Sequence, residues 1–456
     1  MEKNLTTGSV FKNVVLFSLP YLLSYFLQTL YGMADLLIIG HYEGVASTTA
    51  VSIGSQVMYM FTVMIVGLAM GTTVSIAQSV GAKQHKQTAQ STGNTVTLFM
   101  LISFIIMIVL LLLVHPIVKL MSTPTEAVAG TINYLTICFI GIPFITAYNI
   151  ISSIFRGLGD SKSPMYFIAI ACAANIILDF VFMGLCHLGP SGAALGTTVS
   201  QAISVIISLI VILKKKSISL EKEDFRPRSS IIKKILSIGV PIALQDGFIQ
   251  ISFIIITIIA NHRGLNDSAA VGIVEKIMGF LFLVPSSMLS TVSSLGAQNI
   301  GANKPERALK TLRYGILITF SFELIVCVLI QFSAENIVAL FTDSSLASGK
   351  AVIHSGGQYL RGYIFDSVFA GVHFCFSGYF CACGKSGLSF LHNILSISLI
   401  RIPGAYLTST LFPDTLFPMG LATAAGSIFS IIFCVIAFAL LEKSRGKKQF
   451  SLFSIT

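Results

Sequence analysis

About twelve apolar stretches, each long enough to cross the hydrocarbon core of a bilayer, fix what this chain can fold into. They lie near residues 14–39, 52–79, 94–114, 131–155, 164–186, 193–213, 237–260, 269–295, 315–332, 354–380, 388–411 and 418–441. Such runs read as membrane-spanning helices, so the fold class is all-α and integral to the membrane. Charged residues make up only 11% of the chain, and its mean hydropathy is +0.85. A soluble domain carries roughly a quarter charged residues, so that class is excluded. No small-residue cleavage site follows the first run, which is therefore expected to be a retained helix rather than a signal peptide.

The chain also repeats itself. Ala77-Gln78-Ser79-Val80-Gly81-Ala82 returns as Ala297-Gln298-Asn299-Ile300-Gly301-Ala302, 220 residues later. Pro20 answers Pro241, Ala50-Val51-Ser52-Ile53 answers Ala270-Val271-Gly272-Ile273, Gly159 answers Gly384, and Pro190-x-Gly192 answers Pro418-x-Gly420. Pairs kept in one order describe a duplicated half. Six helices per half is an even number, so both halves enter from the same side. The repeat is then parallel, with a cavity expected between two six-helix bundles. The expected divisions are a first bundle over 1–213, a basic linker over 214–234, a second bundle over 235–441 and a tail over 442–456.

A net charge of +10 raises the question of nucleic acid, but its placement answers otherwise. With both termini cytoplasmic, the termini and even-numbered loops hold 23 of the 29 Lys and Arg residues. The opposite loops hold Lys119, Arg263 and Lys350. That asymmetry is the positive-inside rule, and it sets the orientation. The largest basic block, from Lys214 to Lys234, reads as a solvated linker with room for anionic lipid contact. The cysteines read as small apolar packing residues, and the scattered histidines, His373 and His392 included, lack the close partners of a metal site.

Ionisable residues inside apolar runs are costly, so each one is informative. A carboxylate at the bilayer centre costs roughly 2.5–3.5 kcal/mol, so Asp35 and Asp179 together cost roughly 5–7 kcal/mol. Gln28, Tyr31 and Asp35 fall at i, i+3 and i+7, one polar stripe on the first helix. Asn175 and Asp179 are i, i+4 neighbours on the fifth. At the repeat positions the second half has Ile256 and Gly404 instead. A scaffold role would be needed in both halves, so a cation or proton site in the first half is the stronger reading; the alternative is pairing with Arg or backbone. Carboxylate oxygens are hard donors suited to Na⁺, and two acids in one dry site can also share a proton. Pro20 either bends the first helix as a hinge or merely opens it. Of the second-half charges, Asp246 and Asp366 are the candidates for substrate contact; Arg361 and Asp366 are expected near the start of the tenth helix.

These residues resemble the multidrug and toxic compound extrusion (MATE) family over about residues 10–441. The marks are Pro20, Tyr31-Gly-Met-Ala-Asp35, Arg156-Gly-Leu-Gly-Asp160-Ser-Lys162-Ser-Pro164, Asn175-Ile-Ile-Leu-Asp179, Gly192-Ala-Ala-Leu-Gly-Thr197 and Arg401-Ile-Pro403. The resemblance implies a V-shaped pair of six-helix bundles in the bacterial cytoplasmic membrane. It implies export of organic cations and drugs by alternating access, driven by inward H⁺ or Na⁺, with no cofactor. In the branch most resembled, the coupling site maps onto Asp35, Asn175, Asp179 and Thr197, with Tyr31 one turn before the first. Another branch carries a seventh-helix glutamate, where this chain has Ile249 and Gln250.

A major-facilitator transporter would carry an acid in the loop Gly81-Ala-Lys-Gln-His-Lys86, which has none. A flippase of lipids or lipid-linked oligosaccharides, from the same superfamily, is the closer rival. Its cavity would be cationic, whereas the one expected here is acidic. An enzyme or a channel finds no nucleophile, metal cluster or pore ring. The partners expected are small cations and membrane lipids rather than nucleic acid, and one chain holds both halves, so a monomer suffices.

Overall fold

The computed structural model describes residues 4–215, 220–342 and 345–444, and the regular structure among them is helical. The first half contains α1 (Val10–Tyr42), α2 (Val45–Gly81), α3 (His85–Leu120), α4 (Thr125–Ile140), α5 (Ile142–Gly157), α6 (Lys162–Asp179) and α7 (Gly189–Lys215). The second contains α8 (Ser229–Asn261), α9 (Leu265–Leu281), α10 (Leu283–Gly301), α11 (Pro305–Ala339), α12 (Ala347–Ala382), α13 (Ser386–Ser396), α14 (Ile402–Leu411) and α15 (Phe417–Ser444). Joined across their short breaks, these supply 11 helices able to cross a membrane, and the bent pair α4–α5 makes a twelfth span. The expected tail lies outside the described residues from 445 onward, as do residues 216–219 of the linker.

Local sequence explains where spans break. The fourth bends by 47° between α4 and α5. Pro143, in the first turn of α5, has no N–H for the preceding turn and crowds its carbonyl. The fifth span widens into a π-turn over Phe180–Leu185, directly after Asp179. Its counterpart in the second half has one over Ile397–Arg401, between α13 and α14. Such turns insert a residue into the helical ladder and often lie at functional positions.

Pro20 sits inside α1, well past Val10, so it does not open the helix. The Ser24 hydroxyl donates to the Pro20 carbonyl at 2.7 Å. With no N–H of its own, Pro20 leaves the Leu16 carbonyl without its ladder partner.

The described residues divide into two compact units. The first takes in Leu16–Ala243, with a core of Ile39, Val51, Leu135, Phe139, Ile142 and Met183. The second takes in Gly8–Val15, Leu244–Ile300 and the chain from Lys304, cored by Val271, Met278, Tyr359, Tyr363, Ala405 and Met419. Apolar surface remains outside both cores. On α3, Leu101, Ile105, Ile108 and Leu112 are exposed at helical spacing, as are Leu317, Leu324, Val328 and Phe332 on α11. These stripes suit acyl chains. Within lipid the helices gain little from burying apolar surface, and close packing with interhelical hydrogen bonds holds them together.

The duplication reappears in the backbone. Gly159 and Gly384 have φ of +87° and +70°, the left-handed conformation that a side chain disfavours. Lys83 and Asn303, just after the repeated Gly-Ala pairs, both have φ of 57°.

The linker is not wholly solvated. A 3₁₀ turn over Lys222–Phe225 is closed by Asp224 Oδ2, which accepts from the Glu221 N–H at 3.0 Å. Asn94 on α3 donates to the Asp224 carbonyl at 3.1 Å and accepts from the Arg228 N–H at 2.6 Å. Thr97 donates to the Phe225 carbonyl at 2.8 Å. A basic stretch that composition alone marks as solvated is thereby strapped to α3.

Candidate cation site in the first unit

Three helices bring the predicted residues together. Asp35 on α1, Asn175 and Asp179 on α6, and Thr197 on α7 face one another inside the first unit. Asp35 is 3% exposed and Asp179 fully buried. The Thr197 hydroxyl donates to Asp35 Oδ2 at 3.2 Å. Asp35 Oδ1, both Asp179 oxygens and both polar atoms of Asn175 have no hydrogen-bond partner. Among the described residues, the ion pairs are Arg263–Asp267, His354–Glu335, Arg361–Glu335 and Arg401–Asp366, so none neutralises Asp35 or Asp179.

Burial without a counter-charge is the informative property. An isolated carboxylate in a low-dielectric interior is strongly disfavoured, so such groups bind a cation or a proton. The set offers two carboxylates, an amide oxygen and a hydroxyl oxygen, hard donors with room left on each. That donor set fits Na⁺ and equally fits a proton shared between the acids.

Gly196 completes the site, and sequence reasoning passed over it. A methyl group at this position would overlap Asp179 Oδ1 and lie 3.6 Å from Asn175 Nδ2. Only glycine lets the Asp179 carboxyl lie against the α7 backbone. The signal was its place beside Thr197.

Other predicted residues separate by position. Tyr31 is half-buried one turn before Asp35, and Gln28 continues that stripe toward Tyr148. Further along α1, Tyr21 beside Pro20 lies under the Arg156 guanidinium, 4.1 Å from its ring centre.

In the second unit Asp366 is buried in the middle of α12, because that helix begins at Ala347 rather than near Arg361. Arg401 Nη1 lies 3.9 Å from Asp366 Oδ2, and Arg401 Nη2 donates to the Tyr363 hydroxyl at 2.6 Å. Asp246, half-buried on α8, takes no part in these bonds. His373 and His392, expected to lack the close partners of a metal site, stand with ring centroids 5.3 Å apart. Among the described residues no group of three or more His, Cys, Asp or Glu side chains is arranged to hold a metal.

Comparison with known proteins gives this geometry a context. The family model MatE matches residues 20–181 and again 241–407, segments beginning at the two repeated prolines. The chain is 29% identical to the probable multidrug resistance protein YpnP of Bacillus subtilis (strain 168), over 97% of each chain. It is 24% identical to the multidrug export protein MepA of Staphylococcus aureus (strain N315), over 88% of each. A crystal structure of MATE in the bent conformation shares the twelve-helix fold, with a TM-score of 0.89, 23% identity, and coverage of 97% of this chain and 98% of that one. With twelve spans, a duplicated architecture and both halves matched by one model, the chain belongs to the MatE family and is a membrane transporter of the MATE class.

Proposed function

We propose that this protein is a multidrug exporter that expels lipophilic organic cations in exchange for H⁺ or Na⁺. The observation that carries the reading is the pair Asp35 and Asp179, buried in apolar spans without a counter-charge and with unpartnered oxygens. Support comes from the relatives, one named a multidrug export protein and another a probable multidrug resistance protein.

The site suggests how exchange works. Empty, Asp35 and Asp179 repel each other and favour a conformation that admits a cation. A proton or Na⁺ neutralises them, closes the local packing of α1 on α6 and α7, and lowers the affinity for a cationic drug. The ion shifts the equilibrium only through its unequal affinity for the two conformations. Tyr31 and Gln28 line the adjoining face of α1, and the strained ladder at Pro20 gives that helix a place to bend. The membrane is the bacterial cytoplasmic one, with both termini inside as the Lys and Arg distribution indicates. The acceptor groups of the site favour positive cargo over the pyrophosphate of a lipid-linked sugar.

The test is ethidium accumulation in a bacterium stripped of its own exporters. Cells expressing the protein are expected to accumulate several-fold less ethidium, and a protonophore with Na⁺ removed should restore it. Unchanged accumulation, with fluorescent phospholipid moved across proteoliposomes instead, would replace the exporter reading with a flippase.

A further inference from the structure

The second unit holds a carboxyl group that neither the first-unit site nor the bonds around Arg401 use. Glu323 sits within the apolar run of α11, where Phe322, Leu324 and Ile325 are exposed and Glu323 itself is fully buried. With Thr319 and Cys327, four residues to either side, it makes one buried face of that helix. The face is turned toward α12, where Glu323 borders Ser367 and Thr319 meets Cys375. The two helices approach closely there, since a methyl group at Gly371 would lie 2.6 Å from Thr319 Cγ2. Both carboxyl oxygens of Glu323 are buried without a hydrogen-bond partner. Among the described residues it belongs to none of the ion pairs.

We propose that Glu323 is a proton-binding site of the second unit, its carboxyl held neutral where α11 packs on α12. The neighbouring hydroxyls decide between the two forms. The Ser367 hydroxyl donates to the Ile364 carbonyl at 2.9 Å, and the Thr319 hydroxyl donates to the Gly315 carbonyl at 2.8 Å. A hydroxyl has one hydrogen and two lone pairs. With those hydrogens spent on the backbone, both oxygens can still accept a bond but neither has one to give. A protonated carboxyl brings its own donor, whereas a carboxylate needs donors that this interface does not supply. A buried anion left in that state is strongly disfavoured.

The charged and titratable groups of the surrounding helices are engaged elsewhere. On α12, Arg361 bonds the Gln331 carbonyl and Glu335, two turns and more along α11. Asp366 is bonded by Ser427 and faces Arg401, which donates to Tyr363, and His373 lies 3.2 Å from Ser427. On α9, Glu275 accepts from Thr257 at 3.2 Å and Lys276 is exposed. Cys327 and Cys375 add thiols, and Arg313 lies nearly three turns back along α11. A carboxyl serving only to pin two helices would bond across the interface, and Glu323 does not. Ionising it would place a charge between α11 and α12 that water reaches only if the close contact at Gly371 opens. Folding therefore binds a proton here, and stability falls as pH rises through the range where an ordinary carboxyl is already ionised. Proton binding at Glu323 does not depend on the exporter reading.

The first measurement is infrared spectroscopy of the full chain in lipid nanodiscs at about pH 7, where an ordinary glutamate is ionised. The native chain should show a protonated-carboxyl carbonyl band that Glu323→Gln removes. Identical spectra in that region would overturn the proposal. A band that appears only when Na⁺ is withdrawn would overturn it too, making Glu323 a Na⁺ ligand. Should Glu323→Gln fail to insert, Glu323→Asp is expected to move the band, and an unmoved band counts against the site. The second measurement is thermal unfolding at about pH 6 and about pH 9, both above the ordinary carboxyl range. Gln is close in shape and neutral at either pH, so the native midpoint should fall by several degrees more than that of Glu323→Gln. Equal falls in the two proteins would show that Glu323 holds no proton on folding.

Discussion

At the scale of single residues, the first-unit site turns on how closely Asp179 lies against α7. Gly196→Ala is expected to push the Asp179 carboxyl away from Asn175 without removing any predicted ligand. Gradient-driven efflux should fall by about tenfold or more, while the Asp35–Thr197 hydrogen bond stays in place. Efflux within about twofold of the native rate would show that the Asp179 position is slack. Asp35 and Asp179 stood out in the sequence because a carboxylate in an apolar run is costly enough to need a reason, whereas Thr197 was reached only through the family resemblance. Gly196 was not, because its importance is steric and appears only when another helix is placed beside it. The contact between His373 and His392 was hidden for a related cause. They lie on different helices, and a lone histidine carries no sign of its tertiary neighbour.

At the scale of helices, hydropathy marked every span, since lipid leaves a crossing segment no other way to satisfy its backbone. It could not mark the bend at Gly141 and Pro143, where proline interrupts the ladder without interrupting the apolar run. Nor could it place the π-turns directly after Asp179 and ending at Arg401, because an inserted residue leaves the apolar run unbroken. The docked linker was hidden because its bonds to Asn94 and Thr97 use backbone carbonyls, which every sequence has. Pro20 belongs to this scale. Pro20→Ala restores a donor for the Leu16 carbonyl and stiffens α1. The expected result is slower transport with drug affinity changed less than about threefold, because the step affected is a bend rather than a contact. Equal losses in rate and affinity would instead make Pro20 part of the binding surface.

For the molecule as a whole, the repeat was readable from a handful of matched residues, and the family model falls on both halves from Pro20 and from Pro241. What the two halves no longer share is chemistry. The first keeps Asp35 and Asp179, while the second has Ile256 and Gly404 at those places and a different cluster around Asp366. Duplication gave both halves one architecture, and divergence left the unpartnered pair Asp35 and Asp179 in the first half alone. The central claim is that a cation bound at Asp35 and Asp179 drives export. Ethidium efflux from proteoliposomes, with H⁺ and Na⁺ gradients imposed separately, tests it for the native chain and for Asp35→Asn. The account predicts efflux driven by at least one gradient in the native chain and abolished in Asp35→Asn, with the variant folded and inserted as before. Gradient-driven efflux that survives Asp35→Asn at the native rate would contradict it.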